Sequence, residues 1–432
     1  MTVEEVELFL DTYTERYIHT DIHRMQALMQ KLGDPQKNVR FVHVTGTNGK
    51  GSCSAMTERI LREAGYRTGL FTSPHLVNFR ERIQVCGEMI PQEDLAEVLT
   101  RVADANAELN ERVNWFELVT AVALVWFSMQ RCDIVVLEVG VGGALDGTNV
   151  IDVPDCAVIM NIGLDHTEQL GDTLEKIAAV KAGIIKEGGD AVLYRCSESV
   201  ERVIEERCEK VGASLTKADF DSIIPVSESL TGQTFHAGGL KNLEIPLLGE
   251  HQRKNTAVVL SVIDVLRRKG YHIPEEAVRE GLRNVSWPVR MQVMREKPLF
   301  ILDGGHNPQC IEAVRDSLKT MLRPDQKVVF LTGILKGKDA SGMMRILREI
   351  SRDFVITAPD SYRATSVEEL SAIAEQYGCR TTLCPTSKEG VRKASEMAGA
   401  DGAVCCVGSL YLAGEVLDLF QRETKGNINE NA

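Results

Sequence analysis

The run VTGTNGKGS, Val44 to Ser52, combines three glycines with one lysine and several hydroxyl and amide side chains. Gly46, Gly49 and Gly51 let the backbone bend so that several N–H groups converge on phosphate oxygens. The helix expected from Ser52 onward adds its positive dipole end. Lys50 can neutralise a β- or γ-phosphate and the Ser52 hydroxyl can face phosphate or metal, so Thr47, Asn48, Gly49, Lys50, Gly51 and Ser52 are the candidate nucleotide contacts. The spacing is not the usual GxxxxGK[ST], because Gly51 stands between Lys50 and Ser52. By itself the run also fits a glycine-rich turn; its place between a strand and a helix favours nucleotide. Glu138 closes the apolar run Ile134 to Val139. A carboxylate buried there calls for a metal ion or another cation, whereas at an exposed strand end it would simply meet water. Asp303 follows the strand-like run PLFIL, a position where Asp also serves as a helix cap.

These residues need elements that bring them together. From residue 39 onward short β-rich runs alternate with helix-length segments: VRFVHVT, TGLFT, DIVVLEV and CAVIMNI are strands, and 52–64, 91–109, 115–129 and 173–186 are helices. The alternation predicts an α/β fold with a mostly parallel sheet. Residues 213–248 read as a β-rich excursion, followed by helices over 251–269 and 274–284. The alternation then restarts with PLFILDGG, KVVFLTG, DFVITAP, CRTTLC and DGAVCCVGS. A last helix is expected over 410–422, with a frayed tail. The expected domains are therefore 1–284 and 299–432, joined by a linker over 285–298 that contains two prolines.

Acidic residues outnumber basic ones 62 to 49, a formal charge of −13 in 432 residues. That balance argues against nucleic acid as partner. An anionic substrate would need locally gathered cations. The longest apolar stretch, 118–129, is too short to span a bilayer, so no membrane role is expected. The N-terminus lacks a secretory apolar region, and the 11 cysteines show no metal spacing and read as small hydrophobes in a reducing compartment; a cytoplasmic location follows as the expectation.

TGTNGKGS followed by FTSPHLVNFRERI (71–83) resembles the folylpolyglutamate synthase and dihydrofolate synthase family of the Mur ligase superfamily. The resemblance continues through LEVGVGGALDGTNVI, IGLDHTEQLGDTLEKIAAVKAGIIK, GEHQRKN, WPVR, DGGHNP and GSLYLAGEV, in family order over nearly the whole chain. It implies an N-terminal Mur-ligase-type P-loop ATPase domain, a smaller Rossmann-like C-terminal domain, and an active site between them. It also implies a reaction: ATP phosphorylates the terminal carboxylate of a folate, and the amine of L-glutamate displaces phosphate. The folate so implied is a tetrahydrofolate; whether dihydropteroate is a second acceptor stays open in the sequence.

The same resemblance implies roles for single residues. Ser73, Glu138 and His166 would hold Mg²⁺, two ions in all, although Mg²⁺ prefers oxygen to imidazole. Lys181 would be carbamylated, with Val180 before it where relatives carry Glu. Asn255, Arg290 and Asp303 would contact ATP; His306 and Ser409 would face glutamate or the acyl phosphate. Phe116, Glu117, Leu145, Asp146 and Gly147 would surround the pterin, in a loop where Ala144 and Gly147 replace the family's Arg and Ala. Arg82 is a candidate anion contact on the substrate-covering segment 73–82, and a monomer is implied. Two other readings stay open at this stage: a Mur-type ligase for a non-folate acid, and a nucleotide-binding regulator that hydrolyses ATP slowly.

Overall fold

The computed structural model describes residues 1–13 and 22–430. Its first domain is built on an eight-stranded sheet made from β1 (Arg40–Thr45), β2 (Thr68–Phe71), β3 (Ile83–Val85), β4 (Glu88–Met89), β5 (Ile134–Glu138), β6 (Cys156–Ile159), β7 (Asp190–Leu193) and β8 (Ser214–Lys217). The order is β4-β3-β2-β5-β1-β6-β7-β8. Only the β2–β3 and β3–β4 pairings, at one edge, are antiparallel. β1 pairs in parallel with β5 on one side and β6 on the other. Three carboxyl ends thus meet at the centre of the sheet, where the chain order reverses, and open α/β sheets place their ligands at such a point.

Apolar strands force helices onto both faces. The helices Lys50–Glu63, Glu250–Arg268 and Glu275–Arg283 share one core with the β1, β5 and β6 side chains of that face. The helix Trp115–Met129 sits on the other face and buries eleven consecutive residues from Glu117 to Phe127, which explains why its sequence has no polar stripe. Helices Val3–Thr12 and Ile22–Lys31 pack into the same core.

β9 (Ile224–Ser229), β10 (Gly232–Ala237) and β11 (Leu240–Ile245) form a separate antiparallel sheet, the expected β-rich excursion. It starts later than its sequence suggests, because β8 is the parallel edge strand of the main sheet. The second domain holds β12 (Gln292–Glu296), β13 (Leu299–Leu302), β14 (Val328–Thr332), β15 (Asp353–Ile356), β16 (Arg380–Leu383) and β17 (Ala403–Val407), ordered β12-β13-β17-β14-β15-β16. Residues 292–296, which composition assigns to a linker, are β12, paired antiparallel with β13. Two helices also differ from their expected ends. The helix from Leu174 stops at Lys181 and tightens into a 3-10 turn over Ala182–Ile184, and the last helix runs on to Glu430. Among the described residues no helix is long and apolar enough to cross a membrane.

Candidate active site

The phosphate loop leaves β1 at Thr45 and enters its helix at Lys50. Gly49 caps that helix with φ +85°, a left-handed conformation that a side chain resists. Gly51 is needed for space: a Cβ there would stand 2.6 Å from the Trp287 ring, so this position, foreign to the usual spacing, is where the interdomain segment packs on the loop. The loop is braced from below. Thr47 donates its N–H to Asn161 O at 2.7 Å and exchanges hydrogen bonds with the Gly163 backbone at 3.0 Å, so its hydroxyl is committed to the neighbouring loop. The Lys50 ammonium donates to Gly46 O at 3.0 Å and Thr47 O at 3.3 Å. Ser52 is buried and accepts from Gln252, which in turn accepts from Asn255, so Asn255 reaches the loop through the helix Glu250–Arg268.

Lys181 joins the same point. Its ammonium, 3% exposed, donates to Gly46 O at 2.9 Å. Burial first, and then the like charge of Lys50, push it down to about 7. Glu138, at the end of β5, is equally buried and accepts one hydrogen bond, from the Ser73 N–H at 3.3 Å. Burial pushes its carboxyl above the ordinary range, against the fields of Lys50, Arg290 and Arg82. This donor set fits a hard cation: a desolvated carboxylate with one long hydrogen bond gains most from a divalent ion. Ser73 lies beside it. His166 stands apart on the 163–167 loop in a left-handed conformation, within electrostatic reach of Lys50 and Lys181. Among the described residues no three His, Cys, Asp or Glu side chains converge as a metal cluster.

The second domain closes over this loop. Asn48 donates to Gln309 Oε1 at 2.7 Å and accepts from Asn307 at 3.0 Å and from the Cys310 thiol at 3.0 Å. Asp165, next to His166, pairs with Lys338 at 2.7 Å and accepts from Asn307 at 3.3 Å. Partial burial works against the Asp165 carboxylate, but the Lys338 ammonium holds it down to about 2. His306 lies 3.9 Å from Asp165 and bonds to Gly304 O; burial, then the Lys338 charge, push its imidazole down to about 4. Asp303 is pinned by the N–H groups of Met291 and Gly305 at 2.8 and 2.7 Å, so it shapes the turn beside Arg290. Ser409 is buried and accepts from the N–H of Tyr411 at the start of the last helix. A cavity of about 300 Å³ opens between the domains, with Gly51, Ser73, Glu138, Trp287 and Arg290 in its wall.

The residues expected around the substrate ring divide. Phe116 packs on Phe71 at 5.9 Å and covers Gly140, where a Cβ would stand 2.5 Å from its ring. Arg82 is buried over the Trp115 ring at 5.0 Å and donates to His75 at 2.9 Å; burial lowers it to about 10. No carboxylate lies within ion-pair distance of Arg82 among the described residues. Leu145 is half exposed at the loop tip. Glu117 and Asp146 differ from these: Glu117 completes the capping box with Asn114 and lies 3.8 Å from Arg24, while Asp146 caps the turn Gly147–Val150. Gly147 lies against the Glu117 side chain.

Asp165, Asn307, Gln309 and Lys338 form the bridge between domains and escape sequence reasoning. Asp165 and Asn307 stand inside LDHTE and DGGHNP, beside the histidines that draw attention first. Lys338, in GILKGKD, has no local signal, since its partner lies 173 residues away.

Comparison with known proteins follows the same division. The Mur ligase middle domain model matches residues 44–263, and the model of the Mur ligase glutamate ligase domain matches residues 289–410. The chain is 34% identical to a probable bifunctional folylpolyglutamate synthase/dihydropteroate synthase of Haloferax volcanii, over 98% of this chain and 51% of that protein, so it spans about half of that relative. It is 32% identical to the folylpolyglutamate synthase of Lacticaseibacillus casei, over 94% of this chain and 97% of that one. The folylpolyglutamate synthase of Mycobacterium tuberculosis, solved with ADP and AMPPCP, superposes with a TM-score of 0.88 at 29% identity, covering 97% of this chain and 98% of the other.

Proposed function

The chain belongs to the folylpolyglutamate synthase family of Mur ligases, and from that premise we propose that it forms an amide bond between L-glutamate and a folate carboxylate at the expense of ATP. The observation that carries this reading is the clasp on the phosphate loop: Asn48 is held by Asn307 and Gln309 of the second domain. A nucleotide on that loop directs its terminal phosphate toward a second domain. Transfer to another substrate requires this arrangement, and slow hydrolysis as a switch does not.

A carboxylate is a poor electrophile, and phosphorylation installs a leaving group. The carboxylate oxygen attacks the γ-phosphorus, ADP departs, and the glutamate amine then attacks the acyl carbon with loss of phosphate and a proton. Lys50 and the loop N–H groups neutralise the phosphates, and Arg290 approaches from the interdomain segment. Arg82 suits the anionic end of the folate. His306, neutral at working pH because of its burial, offers a ring nitrogen that can take the amine proton. Glu138 with Ser73, and His166 from the facing loop, would hold Mg²⁺, which supplies charge neutralisation on the phosphoryl oxygens. Lys181 at about 7 is substantially a free amine near neutral pH, and such an amine adds to CO₂: an N–C bond forms and one proton leaves to solvent, giving a carbamate anion beside the phosphate loop.

Purified chain with ATP, Mg²⁺, glutamate and either tetrahydrofolate or dihydropteroate tests the reading. One ADP and one phosphate should appear for each glutamylated product seen by mass spectrometry, and the two acceptors separate the two activities. ATP consumption without a glutamylated product from either acceptor rejects it.

A further inference from the structure

His43 lies in the middle of β1, fully buried, and plays no part in the chemistry above. Its Nε2 is 2.9 Å from the Thr148 hydroxyl, and that hydroxyl donates to Asp146 Oδ1 at 2.5 Å. A hydroxyl has one proton. Because the Thr148 proton is given to the carboxylate, its oxygen accepts from His43, so Nε2 carries the imidazole proton and Nδ1 is bare. Burial holds the ring neutral, down to about 3. Nδ1 has no hydrogen-bond partner among the described residues. A core position chosen for packing alone would be filled at less cost by an apolar side chain of this size.

Two residues further along the strand, and so on the same face, Thr45 donates to Gly142 O at 2.6 Å. Asp146 in turn accepts from the N–H groups of Val141 and Thr148, both at 3.0 Å. The loop from Gly140 to Thr148, which carries Leu145 and lies beside Phe116, is thus fastened by five hydrogen bonds. Two of these belong to the strand that continues into the phosphate loop at Gly46. The phosphate loop has separate supports of its own in Gly163, Gln252 and Lys181.

We propose that His43, acting through Thr148, is a positioning residue that sets the 140–148 loop for binding of the folate ring and fixes its register on the phosphate-loop strand. This rests on the folate-ligase reading above. Losing the relay loosens the ring site and leaves the nucleotide site intact.

The test is steady-state ligation by the full chain with Thr148→Val, which removes the hydroxyl at nearly constant volume, Thr148→Ser, which keeps it, and His43→Gln, which keeps an N–H donor. The KM for tetrahydrofolate should rise roughly tenfold or more in Thr148→Val, with the KM for ATP and kcat within about threefold of wild type. Thr148→Ser and His43→Gln should stay near wild type. His43→Leu should raise the same KM, and adding it to Thr148→Val should raise it little further. A lower melting temperature with an unchanged folate KM in both Thr148→Val and His43→Leu makes the chain of hydrogen bonds merely structural and overturns the proposal. If Thr148→Val fails to fold, the same judgement is made on His43→Leu against His43→Gln. A wild-type chain that binds ATP but glutamylates no folate overturns the ligase reading and this inference together; an active wild type with unmoved KM values overturns the inference alone.

Discussion

Two carboxylates eight residues apart, Glu138 and Asp146, are buried to nearly the same degree, and burial pushes both above the ordinary carboxylate range. Their surroundings are opposite. Asp146 accepts from the Thr148 hydroxyl and from the N–H groups of Thr148 and Val141, so its oxygens are spent on the loop it organises. Glu138 accepts one bond of 3.3 Å, from Ser73. Equal burial therefore marks architecture in one case and a site awaiting a cation in the other. What separates them is the number of donors already turned toward the oxygens.

The largest effects should break that contrast at Glu138. Glu138→Gln keeps the shape and removes the charge, and turnover should fall by about 10²- to 10³-fold, as expected for loss of a group that stabilises transition-state charge. Stability should move the other way. A carboxyl with a raised folded pKa destabilises the fold once pH rises past its unfolded value. In metal-free buffer Glu138→Gln should therefore melt above wild type at pH 8, with the difference fading toward pH 4. Wild-type turnover in a folded Glu138→Gln would place Glu138 with Asp146 on the side of architecture.

Lys181 is the cationic counterpart of Glu138. Its folded pKa of about 7 lies below the unfolded value of 10.5. The unfolded chain thus binds more protons between those values, and stability should rise with pH through that window. The cost of burying Lys181 is fully present below pH 7 and gone above 10.5. In CO₂-free buffer Lys181→Met should be more stable than wild type at pH 7, by on the order of 4 kcal/mol, with convergence near pH 10.5, while ligation is lost. Bicarbonate should raise the melting temperature of wild type and leave Lys181→Met unmoved. Parallel stability–pH curves for the two proteins in CO₂-free buffer would show that Lys181 carries no such burden.

Asp146→Ala probes the satisfied partner. It strips an acceptor from two backbone N–H groups and a hydroxyl, and unfolding by urea should show a loss of about 3 kcal/mol, since each stranded buried donor costs roughly 1–3 kcal/mol and part is recovered by relaxation. An unchanged midpoint would mean that these hydrogen bonds do not hold the loop.

The sequence made the first of these groups readable and left the second ambiguous. The βα alternation, the phosphate loop between β1 and its helix, and Glu138 at the end of an apolar strand are local patterns, and period and composition reveal them. Asp146 in LDGTN reads equally as ligand or cap, because the choice depends on where the N–H groups of Val141 and Thr148 point. Residues 292–296 escaped for a similar reason: β12 is a partly exposed edge strand between prolines, so neither face is apolar enough to mark it. Lys338 and His43 have meaning only through partners 173 and 105 residues away. Resemblance to relatives supplied roles for Lys181 and His166 that no local pattern carries. Local pattern gives Lys181 no burial signal, because the loop that covers it leaves β1 and takes its ammonium on Gly46 O.

The smallest effect concerns Glu117, a third buried carboxylate and the most direct check on the rule drawn from the first two. It closes the helix Trp115–Met129 by accepting from the Asn114 N–H at 2.7 Å, while Asn114 accepts from the Glu117 N–H at 2.9 Å. Arg24 lies 3.8 Å away and Gly147 packs on the side chain. A glutamine at this position of a capping box can accept the same bond. Glu117→Gln should therefore lower stability by less than about 1 kcal/mol, the share of charge assistance and of the Arg24 attraction, and leave the KM for tetrahydrofolate within twofold of wild type. The argument depends on geometry: Oε2 is held by the Asn114 N–H and lies near Arg24, which fixes the carboxylate at its own helix start and turns it away from a pterin ring. A tenfold rise in that KM, with the melting temperature unchanged, would show that the Glu117 charge reaches the substrate despite its cap. Counting donors around a buried carboxylate would then be insufficient to tell scaffold from site in this cleft.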